Sequence, residues 1–233
     1  NFKMPNGLFA TPLSSTGMEN SPRSEARYFI DFNAAMAMNA LYLSALGDIL
    51  NDKDASFQYK RDYFSIKTRI NSKMWNPEDG FYYDLDEDEI QIRTKTLGTY
   101  WLLLAEIPNE ERAEKLIAKL KDPSCFGTEN PFSSLSVDHP AFDKKGQGYR
   151  GSVFPWLTFM VIKGLEKYYF YELARNSAIR HLYYILDSMH NSDQEANKRS
   201  NHPTVWSAYQ PMNEGKAIWE EHPDWPLPNH FPS

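Results

Sequence analysis

The chain has 233 residues and a formal net charge of −6, and 15% of its residues are aromatic. This length is enough for a substantial core in one large domain or two small ones, and the negative charge argues against nucleic acid or an anionic membrane as a partner. No apolar run reaches the roughly 18 residues that a membrane span needs, and the single cysteine, Cys125, excludes an internal disulfide.

The expected compartment and cofactors of the protein rest on motifs that the sequence does not contain. The chain starts at Asn1 without a basic and then apolar signal peptide. Since a first residue other than Met is compatible with processing, the expectation is a soluble protein that is either cytoplasmic or periplasmic or secreted after signal removal. No Cys/His cluster has zinc spacing and no glycine-rich phosphate loop is present, so we expect no metal and no cofactor.

The hydrophobic pattern repeats three times along the chain. Each repeat is a helix that is apolar nearly all round, followed by a helix with one apolar face. The predicted pairs cover residues 28–50 and 57–70, then 97–107 and 109–120, then 154–168 and 171–189. The one-faced helices have these expected inward residues: Tyr59, Tyr63, Ile66, Ile70, Ala113, Leu116, Ile117, Leu120, Leu173, Ala174, Ala178, Leu182 and Ile185.

Strand-like sequence is confined to one region between the first two pairs. GFYYDLD, which follows the turn NPEDG, and EIQIRT predict a small β-hairpin in a loop. The aspartates Asp84, Asp86 and Asp88 resemble the start of a calcium loop, but Glu89 and Lys95 stand where that loop requires Gly and Glu. A solvated acidic turn is the better interpretation.

The helix pattern predicts the fold class. A helix that is apolar on every side must be covered on every side. Alternation of such helices with one-faced helices therefore predicts an all-α fold with two concentric layers, an α/α toroid of the (α/α)6 six-hairpin barrel type. About six helices are visible where such a barrel needs about twelve. We therefore expect residues 1–233 to form one catalytic-type domain that supplies most or the second half of the barrel, completed by an N-terminal segment or a partner chain.

Four stretches in the connections between helices combine charged and aromatic residues. They are TGMENSPR at 16–23, LSVDHPAF at 135–142, GYRGSVFPW at 148–156 and TVWSAYQP at 204–211. A sugar subsite needs an aromatic face for the pyranose ring and charged groups for its hydroxyls. Glycoside hydrolysis additionally needs two carboxylic groups. From the pattern alone, a sugar site and ordinary aromatic packing are both open.

These stretches, together with WNPEDGFYYD and the helix after GYRGSVFPW, resemble in order the C-terminal part of the catalytic barrel of glycoside hydrolase family 63 and its trehalase-like relatives. The resemblance implies hydrolysis of an α-glycosidic bond by inverting single displacement, with an α-glucoside-like oligosaccharide or disaccharide as substrate. It also implies substrate contacts at the matching positions Asn20, Arg23, Tyr149, Arg150, Gly151, Trp156, Trp206 and Tyr209.

The chain departs from the family at both catalytic positions. The family's general acid is an Asp, and Glu19 takes its place; a Glu can transfer the same proton, but its extra methylene moves the carboxyl by about 1.5 Å. The family's general base is a Glu, and Ser207 stands at that position. A serine hydroxyl is not a base near neutral pH without an activating partner, so Glu214 is a candidate substitute. A carbohydrate-binding homologue with impaired catalysis is the second hypothesis.

Some of these residues also have purely structural interpretations. Thr16 and Glu19 have capping-box spacing, although Pro22 would then fall inside the first helical turns. Arg150 could form a salt bridge with an aspartate of an inner helix. Asp31, a buried carboxylate candidate, is expected to bond to a neighbouring helix.

Overall fold

The computed structural model of the chain describes residues 2–190 and 205–212, so the candidate base Glu214 lies outside the described residues. Its helices and strands, in chain order, are α1 (Ile30–Ile49), α2 (Lys53–Lys73), β1 (Trp75–Asn76), β2 (Phe81–Tyr82), β3 (Asp84–Leu85), β4 (Gln91–Ile92), α3 (Trp101–Leu104), α4 (Glu110–Lys121), α5 (Pro155–Lys167) and α6 (Tyr171–His190). Short 3-10 turns occur at Leu13–Ser15, Leu97–Tyr100 and Gly148–Arg150. No helix in these ranges combines the length and the apolar character needed to cross a membrane.

The chain forms two compact units. The first consists of Asn1–Glu19 and Arg23–Leu116, and the second of Asn20–Pro22 and the described residues from Ile117 onward. In the first unit α1 packs on α2 and on the segment formed by the turn Leu97–Tyr100 and α3. In the second unit α5 packs on α6. The first and third predicted helix pairs are therefore confirmed.

The amphipathic helices bury the apolar faces that their sequences predict, with one exception. Buried residues on α2 and α4 include Tyr63, Ile66, Ile70, Ala113, Leu116, Ile117 and Leu120. On α6 the prediction for Leu182 is wrong, because its side chain is 55% exposed whereas its neighbour His181 is buried. The buried face of α6 therefore carries a histidine at the position where a leucine was expected.

Three helices end in the same way, and this explains why one of them is shorter than predicted. Asn51, Glu106 and Tyr169 have φ values of 59, 55 and 63°, and each lies two residues after the end of α1, α3 or α5. In each case the next residue donates to a carbonyl five residues back, which is the Schellman arrangement: Asp52 to Gly47, Ile107 to Leu102 and Phe170 to Leu165. The predicted helix 97–107 is therefore a 3-10 turn and a four-residue helix, closed at Glu106.

Two small antiparallel hairpins lie between α2 and α3, one more than the sequence predicts. The strands β1 and β2 are joined through NPEDG, where Asn76 Oδ1 accepts from the backbone N–H groups of Glu78 and Asp79. The strands β3 and β4 form the predicted hairpin. The interpretation as a solvated acidic turn is wrong for Asp84, which is buried in β3.

Candidate functional site

The loop that carries Glu19 is closed by side-chain hydrogen bonds. Thr16 Oγ1 donates to the carbonyl of Leu13 at 2.8 Å, and it accepts from the backbone N–H of Met18 and from Arg23 Nη2, both at 3.2 Å. No helix begins within the loop, so the capping-box interpretation is wrong. Glu19 is exposed, and its carboxylate has no hydrogen bond or ion pair with any residue that the structure describes.

Arg23 is buried between two carboxylates of the same unit. Its Nη2 lies 2.6 Å from Asp31 Oδ2, and its Nη1 lies 3.3 Å from Asp84 Oδ2. The guanidinium also lies over the ring of Phe29, 4.9 Å from the ring centre. Asp31 therefore pairs with the loop, whereas the sequence predicted a bond to a neighbouring helix.

The charges of this cluster shift each other's proton affinities. Burial raises the pKa of the Asp84 carboxyl to about 6, with the charge of Arg23 lowering it and that of Asp31 raising it. Burial alone would lower the pKa of Arg23, but the two carboxylates outweigh it and raise that pKa above its usual value. Arg23 is therefore a permanent cation in this cluster.

Asn20 links the first motif to the GYRG motif within the second unit. Its Nδ2 donates to the carbonyl of Gln147 at 3.2 Å, and its Oδ1 accepts from the backbone N–H of Tyr149 at 2.7 Å. Gly148 lies between these two contacts with φ of 54°, and a Cβ there would lie 2.4 Å from Asn20 Nδ2. The amide of Asn20 and the positive φ thus both disfavour a side chain at position 148.

Two further residues of the GYRG motif are buried. The ring of Tyr149 stacks on Phe154 at 4.4 Å between ring centres. Gly151 donates its backbone N–H to Ser134 Oγ at 3.1 Å. Both residues therefore help to fix the backbone of this segment.

Two other residues in the same region reach solvent. Arg150 is half-buried, and across residues 2–190 and 205–212 its guanidinium has no ion pair, so the predicted salt bridge with an inner-helix aspartate is not observed there. Trp156, in the first turn of α5, is 38% exposed. These side chains offer an unpaired cation and an accessible aromatic face.

The segment 205–212 is held against the start of α5. Tyr209 and Val153 exchange two backbone hydrogen bonds of 2.8 and 2.9 Å. The Tyr209 hydroxyl accepts from the backbone N–H of Trp206 at 2.9 Å, and burial raises the pKa of this phenol to about 12. Trp206 and Tyr209 are packed with Ile185 of α6. Ser207 Oγ is buried, with no hydrogen-bond partner in the described part of the chain.

A histidine that the sequence interpretation did not single out lies beside this segment. His181 Nδ1 is 2.8 Å from Asn130 Oδ1, and its ring packs edge-on against Tyr209. Burial lowers the pKa of His181 to about 4, so the imidazole is neutral near pH 7. The available signal was its helical spacing from Ala174 and Ile185, two buried residues of the same helix.

The predicted site residues differ in how they could act. Glu19, Asn20, Arg150 and Trp156 are exposed or half-buried, whereas Arg23, Tyr149, Gly151, Trp206 and Tyr209 are buried. Their roles at a substrate stay predictions. Over the residues that the structure describes, no group of three or more His, Cys, Asp or Glu side chains could hold a metal ion.

Comparison with known proteins gives the chain a family. Residues 1–221 match the family of the mannosylglycerate hydrolase MGH1-like glycoside hydrolase domain. The chain is 47% identical over 219 residues to an uncharacterized protein of Borreliella burgdorferi, covering 94% of this chain and 45% of that protein. It is 25% identical over 144 residues to the mannosylglycerate hydrolase of Rubrobacter radiotolerans, covering 59% and 31%. The chain thus spans less than half the length of these curated relatives.

Solved structures show the same fold. A sialidase matches with a TM-score of 0.78 at 16% identity, covering 92% of this chain and 20% of that one. The GH63 mannosylglycerate hydrolase of Thermus thermophilus, in complex with glucose, matches with a TM-score of 0.65 at 22% identity, covering 82% and 44%. Neutral trehalase of Saccharomyces cerevisiae matches with a TM-score of 0.65 at 16% identity, covering 83% and 36%.

The likeness to the GH63 enzyme and to trehalase confirms the predicted all-α class of α/α toroids. The family resemblance read from the ordered motifs is confirmed by the match over residues 1–221, and the chain belongs to the mannosylglycerate hydrolase MGH1-like glycoside hydrolase domain family.

Proposed function

We propose that this chain carries the general acid of a glycoside hydrolase that cleaves an α-glycosidic bond with inversion. The observation that supports this function best is the state of Glu19. Its carboxylate is exposed and unpaired over the described residues, while Thr16 and Arg23 hold the loop around it through part-buried hydrogen bonds. A general acid needs both a free carboxyl and a fixed backbone.

In the proposed mechanism, Glu19 donates its proton to the glycosidic oxygen as the bond to the anomeric carbon breaks. A second carboxylate removes a proton from a water molecule that attacks the opposite face of the sugar. Such a pair of carboxyls stands about 6.5–9.5 Å apart in inverting enzymes. Ser207 cannot be this base alone, and Glu214 is the candidate that the chain itself offers.

Two exposed or half-buried side chains suit the substrate. The guanidinium of Arg150 can bind vicinal hydroxyls through two parallel hydrogen bonds, and the ring of Trp156 can cover the C–H face of a pyranose. We propose an α-glucoside as the substrate class. The names of the relatives, mannosylglycerate hydrolase and trehalase, widen the panel of sugars to be tested.

The experiment compares turnover of trehalose, other α-linked glucosyl disaccharides and mannosylglycerate by the full-length protein and by Glu19→Gln. The variant should lose about 10²–10⁴-fold in kcat, since it cannot donate the proton. Glu25→Gln, at an exposed glutamate a few residues away, should keep full activity. The anomer formed first, followed by NMR, tests inversion. Undiminished turnover by Glu19→Gln would rule out this assignment.

A carbohydrate-binding homologue without catalysis is the second candidate, and Ser207 favours it. The buried hydroxyl stands where the family has its base, and it has no hydrogen-bond partner among the described residues that could activate it. Under this hypothesis sugars bind to the wild-type protein without turnover above that of Glu19→Gln. Turnover that appears in Ser207→Glu would then identify the missing base as the cause.

We also propose that helices from an N-terminal segment of a longer chain cover the apolar side chains now exposed on α1. Tyr42, Leu43, Leu46 and Ile49 are each at least 40% exposed. If they are covered, Leu46→Ala in the full-length protein should cost about 2 kcal/mol or more of unfolding free energy. Lys60→Ala, on the exposed face of α2, is the control. An effect of Leu46→Ala below about 0.5 kcal/mol would refute the proposal. If the effect appears only when another protein is bound, a partner chain covers these side chains instead.

A further inference from the structure

Three charged side chains in the first unit are almost completely buried. The side chain of Arg23 is 0% exposed, and those of Asp31 and Asp84 are 6% and 2% exposed. Burying charges is costly even when they are paired, so such clusters are poor evidence for stability. They do fix geometry, because each partner left alone would be an uncompensated buried charge.

Three partners of Arg23 come from different parts of the chain. Asp31 lies in the first turn of α1, Asp84 lies in β3, and Thr16 lies at the start of the Glu19 loop. The rigid fork of a guanidinium can bond to all three at once. Asp84 uses its other oxygen, Oδ1, to accept from the backbone N–H of Ile30 at 2.7 Å. The same carboxylate therefore fixes both Arg23 and the start of α1.

Gly98 provides a second connection between this cluster and the loop, because both Asp31 and Met18 lie close to its backbone. A Cβ at position 98 would lie 2.9 Å from Asp31 Oδ2 and 3.2 Å from Met18 Sδ. Met18 immediately precedes Glu19, and its side chain is buried. The residue beside the proposed acid and the carboxylate that holds Arg23 are thus packed on the same glycine.

We propose that Arg23 is a positioning residue for Glu19. By joining Thr16, Asp31 and Asp84, it fixes the two ends of the loop 16–23 and so the direction in which the Glu19 carboxylate points. This assignment takes the place of the direct sugar contact implied by the family resemblance, because the guanidinium has no exposed surface. It rests on the proposed function only for the statement that Glu19 is the acid.

The variant Arg23→Lys in the full-length protein distinguishes positioning from charge. It keeps the positive charge, but it lacks the planar guanidinium that can bond to several partners at once. Backbone amides of residues 16–23 should exchange hydrogen about tenfold faster in this variant, and in Asp84→Asn, while those of α2 are unchanged. Ile70→Val, in the buried face of α2, controls for a general loss of stability and should leave the loop at its wild-type rate. Unchanged hydrogen exchange of the loop in both Arg23→Lys and Asp84→Asn would overturn the proposal.

Steady-state kinetics then tests the link to Glu19. Misplacement of a proton donor by about 1 Å can lower kcat by about 10²-fold, so Arg23→Lys should lower kcat with KM changed less than about threefold, as expected when only transition-state contacts are lost. A rise in KM at constant kcat would show a direct substrate contact and overturn the positioning role. If the wild-type protein hydrolyses no glycoside, the proposed function fails and loop exchange alone decides whether Arg23 fixes the loop.

Discussion

His181 of α6 and Asn130 form a buried contact of 2.8 Å between imidazole Nδ1 and amide Oδ1. The backbone N–H of Asn130 donates to the carbonyl of Pro211 at 3.1 Å, and the His181 ring packs edge-on against Tyr209. The pair therefore ties α6 to the segment that contains Ser207. Because the ring is buried, the imidazole at this contact is neutral near pH 7.

The first prediction concerns acid sensitivity. Burial lowers the pKa of His181 to about 4 from 6.5. Between these values the folded chain binds fewer protons than the unfolded chain. The contribution of His181 to the free energy of unfolding is therefore complete above about pH 6.5 and is lost as the pH falls towards 4. The loss amounts to about 3 kcal/mol of unfolding free energy. The free energy of unfolding, measured with denaturant at pH 7.5 and 4.5, should fall by about 3 kcal/mol less in His181→Gln than in the wild-type protein.

Ser188→Ala is the matched control for this prediction. Ser188 is buried on the same helix as His181 and does not titrate. Its variant should be destabilised by a similar amount at both pH values. If the unfolding free energy of His181→Gln falls from pH 7.5 to 4.5 by as much as that of the wild-type protein, the assignment of a buried neutral imidazole is contradicted.

The second prediction concerns the carboxylates beside Arg23. Burial raises the pKa of Asp84 from 3.8 to about 6, so between these pH values the folded chain binds more protons than the unfolded chain. The contribution of this group to stability is therefore complete below 3.8 and is lost as the pH rises through 6. Asp31→Asn removes the neighbouring like charge and should lower the pKa of Asp84, as measured by carboxyl-carbon NMR. Asp48→Asn, at an exposed site, should leave it unchanged. A pKa of Asp84 that stays the same in Asp31→Asn would contradict this coupling.

The helices were largely predictable because burial of one face leaves a period in the sequence. The stripe of Tyr63, Ile66 and Ile70 on α2 is an example. Periodicity does not show where an apolar run stops being a helix. The end of α3 depends on Glu106 adopting a left-handed conformation, and Glu has no strong preference for that conformation.

The contacts that organise the site were not predictable in this way, because they join residues far apart in the chain. Arg23 and Asp84 are separated by 61 positions, and Asn20 and Tyr149 by 129. Motif order indicated that Asn20 and Tyr149 belong to one family pattern, but no local signal paired them. Asp84 stands in an acidic run, so its charge pattern favoured a solvated turn until its partner was known.

The third prediction tests the contact between Asn20 and the GYRG motif. Gly148 and Gly17 have φ of 54 and 73°, so alanine at either position carries about 1–2 kcal/mol of backbone strain. Only at 148 would the new Cβ also collide with Asn20, at 2.4 Å, since nothing lies within 4 Å at position 17. Gly148→Ala should therefore cost about 1–3 kcal/mol more unfolding free energy than Gly17→Ala.

A double-mutant cycle checks the cause of this excess. In an Asn20→Ala background the collision is absent, so Gly148→Ala and Gly17→Ala should become similar in cost. The measurement is denaturant unfolding of all variants at one pH. An excess that persists without the Asn20 side chain would contradict the assignment to this contact.

The fourth prediction concerns the end of α5, where Tyr169 has φ of 63°. The backbone N–H groups of Tyr169 and Phe170 close the helix on the carbonyls of Glu166 and Leu165. A side chain in this conformation costs about 1–2 kcal/mol, and the Tyr169 ring is 78% exposed, so its removal loses little packing. Tyr169→Gly should raise the free energy of unfolding by about 0.5–1 kcal/mol after the greater freedom of glycine in the unfolded chain is counted. Tyr169→Ala keeps the strained Cβ and should bring no gain, so equal stabilisation by both variants in denaturant unfolding would contradict relief of backbone strain as the cause.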